Sequence, residues 1–100
     1  ITTHAKNFSL NQSQDNFINE KIIKIREFSK TIEDQSHEIK INFEYIDSQK
    51  KEDSMTCIAT LNLTWHKTIR VEKKAETVEK AFMTVKDILI KDMKKIKETL

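Results

Sequence analysis

Residues 38–46, EIKINFEYI, decide the fold class. Apolar and polar side chains alternate strictly along them, and one face consists of Ile39, Ile41, Phe43 and Tyr45. Successive side chains of a strand point to opposite faces, so this period of two predicts a half-buried β-strand. Its apolar face must be covered by another layer of the same domain.

Two further strands are predicted after this one. Residues 55–65 alternate again, with an apolar face made of Met55, Cys57, Ala59, Leu61, Leu63 and Trp65. A tight turn at Trp65–Lys67 then leads into a short strand that contains Ile69 and Val71. Consecutive strands joined by short loops pair as antiparallel hairpins, so these three strands are expected to form a meander.

Helical periodicity lies on both sides of the meander. Residues 2–10 predict a first strand with Phe8 and Leu10 on one face. A helix over 12–32 follows it, and Asn11 with Gln14 forms a capping-box pattern at its start. After Thr77, a plausible N-cap, a second helix is predicted by the apolar positions Val78, Ala81, Phe82, Val85, Leu89, Met93 and Ile96.

The order β-α-β-β-β-α predicts an α+β fold. Since one face of the sheet is apolar and the other polar, both helices must cover the same face. We therefore expect a two-layer sandwich, with a four-stranded sheet and two helices packed on one face. No linker or repeat interrupts residues 1–100, which predicts a single domain.

Composition excludes several functions. The 100 residues contain no glycine and no proline, whereas phosphate-binding loops, dinucleotide-binding fingerprints, nucleophile elbows and EF-hand loops all need glycine.

No apolar run is long enough to cross a membrane and no signal peptide is visible, so no membrane partner is expected. The single cysteine suits a reducing compartment, and a cytoplasmic location is expected. Net charge is only +2, so a nucleic-acid contact must depend on where the lysines lie.

No catalytic or metal-binding pattern is present in the sequence. The histidines His4, His37 and His66 have no spacing typical of a metal site. Cys57 lies on the inward face of its strand, which favours a buried, inert thiol. We therefore expect no enzymatic activity, no cofactor, no metal and no small-molecule substrate.

Lysines lie beside the predicted buried stripe of each helix. In the first helix one flank carries Phe17, Lys21, Lys24 and Phe28; in the second a flank carries Ile88, Lys91 and Lys95, with Lys94 further toward solvent. Lysines rooted beside apolar residues can present their ammonium groups to a phosphate backbone. The alternative is that these lysines only solvate exposed helix faces, and those at the end of the second helix also complement its dipole. Ile23 and Ile90 are predicted on the outward sides.

The element order, with AKNFSLNQSQDNFINEKIIKIREFSKTI and IRVEKKAETVEKAFMTVKDILIKDMKKIKE, resembles the ribosome hibernation promoting factor and protein Y family. This resemblance implies a translation inhibitor of stress or stationary phase. Such a protein binds the small ribosomal subunit between head and body and occupies the mRNA and tRNA sites. Basic residues of both helices then contact ribosomal RNA, and here the matching positions are Lys21, Lys24, Lys91 and Lys95. A monomer is expected off the ribosome.

The sequence departs from that family at particular positions. The family's hairpin glycine is missing from Thr64–Lys67, Lys86 stands where an apolar residue is usual, and Ile88 stands where a basic one is usual. If the chain ends at Leu100, the resemblance is to the short form, without a dimerising domain.

Two other readings stay open on the sequence alone. Glu72-Lys73-Lys74-Ala75 resembles the start of the last helix of a double-stranded RNA-binding domain, where clustered lysines contact phosphates. A protein-interaction adaptor that uses the polar sheet face or an edge strand is the other alternative.

Overall fold

The computed structural model of the chain describes residues 2–31, 38–47, 50, 53–62 and 68–98. Its six elements are β1 (Thr2–Lys6), α1 (Gln12–Lys30), β2 (Glu38–Tyr45), β3 (Met55–Asn62), β4 (Thr68–Ala75) and α2 (Val78–Glu98). The predicted β-α-β-β-β-α order and the α+β class are confirmed. The fourth strand is longer than predicted, since it continues beyond Val71 to Ala75.

The four strands lie in the sheet in the order in which they occur in the chain. β2, β3 and β4 pair antiparallel, as expected from their short connections, while β1 pairs parallel with β2. A parallel pair needs a long crossover, which α1 provides. The row Thr3, Ile41, Ala59 and Val71 crosses the sheet on the helix side, and the neighbouring row Lys40, Thr60 and Arg70 lies on the open face.

The core lies between the sheet and the two helices, as predicted. α1 contributes Ile18, Ile22 and Ile25, and the buried residues of α2 include Phe82, Val85, Leu89 and Met93. Phe82 is fully buried, and its ring centroid lies 6.5 Å from that of Phe17 and 6.2 Å from that of Phe43. This one ring therefore joins both helices to the sheet.

Both predicted helix starts are confirmed. The Asn11 side chain accepts a hydrogen bond from the Gln14 amide at 2.8 Å, and the Gln14 side chain accepts from the Asn11 amide at 3.0 Å. At α2, the Thr77 hydroxyl accepts from the Lys80 amide at 3.2 Å. These contacts satisfy backbone donors that have no partner inside a first helical turn.

The first strand ends earlier than predicted, at Lys6. Asn7 takes a left-handed backbone conformation with φ of 67°, which turns the chain out of the strand. Asparagine tolerates this conformation better than most residues, and here its Nδ2 also donates to the Tyr45 carbonyl at 3.4 Å. Phe8 and Leu10 consequently pack against the core as half-buried loop residues and not as part of a strand.

The structure corrects several other expectations. Tyr45 was predicted on the covered face, but it is 43% exposed at the end of β2, so that face ends before it. The first helix was predicted to reach residue 32, but α1 ends at Lys30. Ile23 is exposed as predicted, but Ile90 is half-buried against the core because it lies on the side of α2 that faces α1. Four predicted features lie outside the described residues: the last part of the second meander strand, the turn at Trp65–Lys67, the end of the first helix at residue 32, and the histidines His37 and His66.

Candidate nucleic-acid interface

The two helices lie side by side and run in the same direction. Near their first turns the Phe17 and Phe82 rings meet edge to face at 6.5 Å. Near their last turns the Lys97 ammonium lies 5.6 Å from the centre of the Phe28 ring. Residues early in α1 thus contact residues early in α2, and late residues contact late residues. We call this line of contact, with the side chains that border it, the helix seam.

The α1 border of the helix seam is the flank predicted from the sequence. Phe17 and Phe28 contact α2, and Lys21 and Lys24 lie between them at helical spacing. Lys21 is half-buried, with its ammonium 5.7 Å from the centre of the Phe17 ring. Lys24 is exposed. Both stems therefore start beside apolar surface, and both charged groups can reach solvent.

The lysines of α2 spread around the exposed surface of that helix. Ile88 and Ile90 lie on either side of buried Leu89, each about 100° around the helix from it. Lys97 follows Ile90 by seven residues and shares its side, which faces α1, while Lys94 lies further toward solvent. Lys91 lies one helical turn before Lys94 and Lys95, so these three lysines are neighbours on the solvent-facing surface.

The five predicted site lysines therefore form a band across the helix layer and not one cluster. Lys21 and Lys24 border the helix seam on α1, whereas Lys91, Lys94 and Lys95 lie together on the solvent-facing surface of α2. Helical periodicity gives the flanks of each helix, but it does not say which flank faces the neighbour. Sequence reasoning consequently missed Lys97, whose seven-residue spacing from Ile90 was the available signal.

Ion pairs occur on both layers of the sandwich, and those of the helix layer are Lys80 with Glu76 and Lys86 with Asp87. On the open sheet face Lys6 pairs with Glu44 at 3.8 Å, and Arg70 pairs with Glu72 at 3.9 Å. On the helix layer, within the part of the chain that the structure describes, no ion pair involves Lys24, Lys91, Lys94 or Lys95, and all four are exposed. The second half of α2 carries four lysines against Asp92 and Glu98, and it therefore presents an excess of positive charge to solvent.

Cys57 is buried and unreactive by its surroundings, as predicted. Its side chain is fully enclosed on the inward face of β3, and burial raises the pKa of the thiol to about 12. A thiol in this state is protonated at neutral pH and is a poor nucleophile. Among the described residues no group of three or more histidine, cysteine, aspartate or glutamate side chains could hold a metal ion. No helix of the described residues is long and apolar enough to span a membrane.

The resemblance to the start of a double-stranded RNA-binding helix is not supported by the structure. Lys73 and Lys74 belong to β4, and α2 begins only at Val78. Adjacent residues of a strand point to opposite faces of the sheet, so these two lysines cannot form one cluster at a helix start. The basic surface that requires an explanation is the band on the helix layer.

Known proteins place this architecture in a family. The family model described as Sigma 54 modulation protein / S30EA ribosomal protein matches residues 1–100. The Protein Y N-terminal domain of Thermus thermophilus has a similar structure, with a TM-score of 0.74 and 13% identity over 95% of this chain and 94% of that one. A ribosomal subunit interface protein from Coxiella burnetii also has a similar structure, with a TM-score of 0.70 and 14% identity over 98% of this chain and 99% of that one. No curated protein matches by sequence. The resemblance drawn from the sequence is thus confirmed, and the chain belongs to the Sigma 54 modulation protein / S30EA ribosomal protein family.

Proposed function

We propose that this protein binds the small ribosomal subunit through its helix layer and thereby blocks the mRNA and tRNA sites of idle ribosomes. The observation that carries the proposal is the band of exposed, unpaired lysines on that layer in a chain whose net charge is only +2. Family membership supports the same direction, since one structural relative is named as a ribosomal subunit interface protein.

The proposed RNA contacts are made by Lys21, Lys24, Lys91, Lys94 and Lys95, with Lys97 added from the structure. Each lysine that neutralises a phosphate releases a condensed counterion, so affinity must fall with salt. The five lysines predicted from the sequence correspond to a slope of log affinity against log salt near −4, and all six contacts together correspond to a slope near −5.

Inhibition follows from occupancy alone. A rigid domain that fills the decoding groove excludes mRNA and tRNA by volume, without bond making or breaking. This mechanism needs neither a nucleophile nor a cofactor. The proposed site of action also implies a cytoplasmic location.

The test is cosedimentation with purified small subunits over a series of salt concentrations. Two double charge reversals probe the band, Lys21→Glu with Lys24→Glu and Lys91→Glu with Lys95→Glu. The matched control reverses Lys6 and Lys74, which share one row of the open sheet face. We expect each band variant to bind about tenfold more weakly or worse, with a shallower salt slope, and the control to bind as the unmodified protein does.

Each outcome separates the proposal from its alternatives. If the unmodified protein does not pellet with small subunits at low salt, the proposed function is wrong. If the control variant loses binding and the band variants do not, RNA contacts the sheet face. Equal affinity for plain RNA duplexes would favour a double-stranded RNA-binding module. Specific pelleting that is insensitive to salt would favour a protein-protein adaptor.

A further inference from the structure

Lys86 is a buried charged residue on the α1-facing side of α2. Its side chain is 8% exposed, and its ammonium lies 3.4 Å from a carboxylate oxygen of Asp87. It follows Phe82 by four residues, and Lys21 follows Phe17 by four. Since Phe17 and Phe82 touch and the helices run in the same direction, Lys86 and Lys21 face the helix seam one turn further along.

The ammonium of Lys86 lies at the mouth of the helix seam and not in the core. Neighbouring residues of a helix point about 100° apart, and the Asp87 side chain is 70% exposed on the solvent side. An ammonium that reaches Asp87 must therefore extend outward along the helix surface. Its stem is buried while its charge is close to solvent, the arrangement seen for lysines at apolar borders.

An apolar residue would suit this position better if packing were its only role. A methionine has a similar length, fills the same space and carries no charge that must be partly removed from water. Within the described residues Asp87 is the one ion-pair partner of Lys86, which leaves donors of the ammonium available. A residue that breaks the local rule without a structural gain is expected at a functional site.

We propose that Lys86 binds an RNA phosphate at the helix seam, and that the phosphate replaces Asp87 as the partner of the ammonium. Lys21 and Lys24 border the same part of the seam, so the phosphate would meet positive charge from both helices. In the free protein Asp87 occupies the ammonium and competes with the phosphate for it. This inference rests on the proposed function, because it assigns a further contact to the same surface.

The test is a double-mutant cycle on affinity for small subunits across a salt series. It uses Lys86→Met, Asp87→Asn and the double variant. The matched control cycle uses Lys80→Met and Glu76→Gln, an exposed ion pair of 3.7 Å at the start of the same helix. We expect Lys86→Met to weaken binding by about three- to tenfold and to reduce the salt slope by about 0.9. Its melting temperature should be unchanged or higher, because the replaced charge does not support the fold.

Asp87→Asn gives a second readout that does not depend on the stability of the lysine variant. Removing the carboxylate releases the ammonium, so Asp87→Asn should tighten binding more than Glu76→Gln does. That gain should vanish when Lys86 is methionine. Unchanged affinity and slope in Lys86→Met, or equal gains from the two carboxylate variants, would overturn the inference while the proposed function stands. If the unmodified protein does not bind small subunits, both fall together.

Discussion

The left-handed residue Asn7 offers a sharp test of how a chain without glycine makes its turns. Its φ of 67° ends β1 and directs Phe8 and Leu10 onto the core. Two substitutions separate the backbone conformation from the side chain. Asn7→Ala keeps a Cβ atom and removes the amide, whereas Asn7→Gly removes both.

The expected magnitudes follow from the conformation. The left-handed region costs an ordinary L-residue about 1–2 kcal/mol, and asparagine avoids part of this cost. The hydrogen bond from Asn7 to Tyr45 is long, at 3.4 Å, and exposed, so its loss adds little. We therefore expect Asn7→Ala to lower the free energy of unfolding by about 1 kcal/mol. Asn7→Gly should be near neutral, because relief of the steric cost offsets about 0.4–1 kcal/mol of added chain entropy.

Urea and thermal unfolding followed by circular dichroism measure both variants. A loss of 1 kcal/mol corresponds to a fall in Tm of about 4–8 °C for a domain of this size. Ser9→Ala, an exposed loop position two residues away, is the control and should change stability by less than about 0.5 kcal/mol. The reasoning is refuted if the alanine and glycine variants at position 7 are equally stable, or if Asn7→Ala matches Ser9→Ala.

Three further outcomes are expected. Phe82→Ala should lower the free energy of unfolding by about 3–5 kcal/mol in urea titrations, since the ring is fully buried between both helices and the sheet; a loss below about 1.5 kcal/mol would contradict its central place. Burial raises the pKa of Cys57 from 9.0 to about 12, so the unfolded state releases the proton first, and stability should fall more steeply between these pH values in the unmodified protein than in Cys57→Ala. Refolding should lack a phase of tens of seconds, because the sequence has no proline; a slow phase sensitive to a prolyl isomerase would contradict this.

Much of the fold could be predicted because its signals are local. Alternation in EIKINFEYI and in residues 55–62 identifies the inner and outer faces of two strands, and Asn11 and Thr77 begin their helices as expected. The early end of β1 was missed because Phe8 and Leu10 continue an apolar pattern past the turn. In a chain without glycine, an asparagine such as Asn7 is the residue type that indicates a left-handed backbone conformation. A hydropathy pattern does not contain this information, because it records only whether a side chain is polar or apolar.

The site could be predicted only one helix at a time. Periodicity placed Lys21 and Lys24 beside a buried stripe correctly, since a stripe and its flanks follow from the sequence of a single helix. Which flank of α2 faces α1 depends on the order and direction of the helices over the sheet. That arrangement is a property of the whole fold, so the positions of Lys86 and Lys97 beside the helix seam follow only from the Phe17–Phe82 and Phe28–Lys97 contacts.

The shared direction of the helices also gives the helix layer, taken by itself, two electrically different ends. The first half of α1 carries Asp15 and Glu20 without a basic residue, while its second half carries more basic than acidic residues. The first half of α2 is balanced, and its second half has four lysines against two acidic residues. A long-range field of this kind orients a molecule before contact. A polyanionic target would therefore attract the last turns of the two helices more strongly than their first turns.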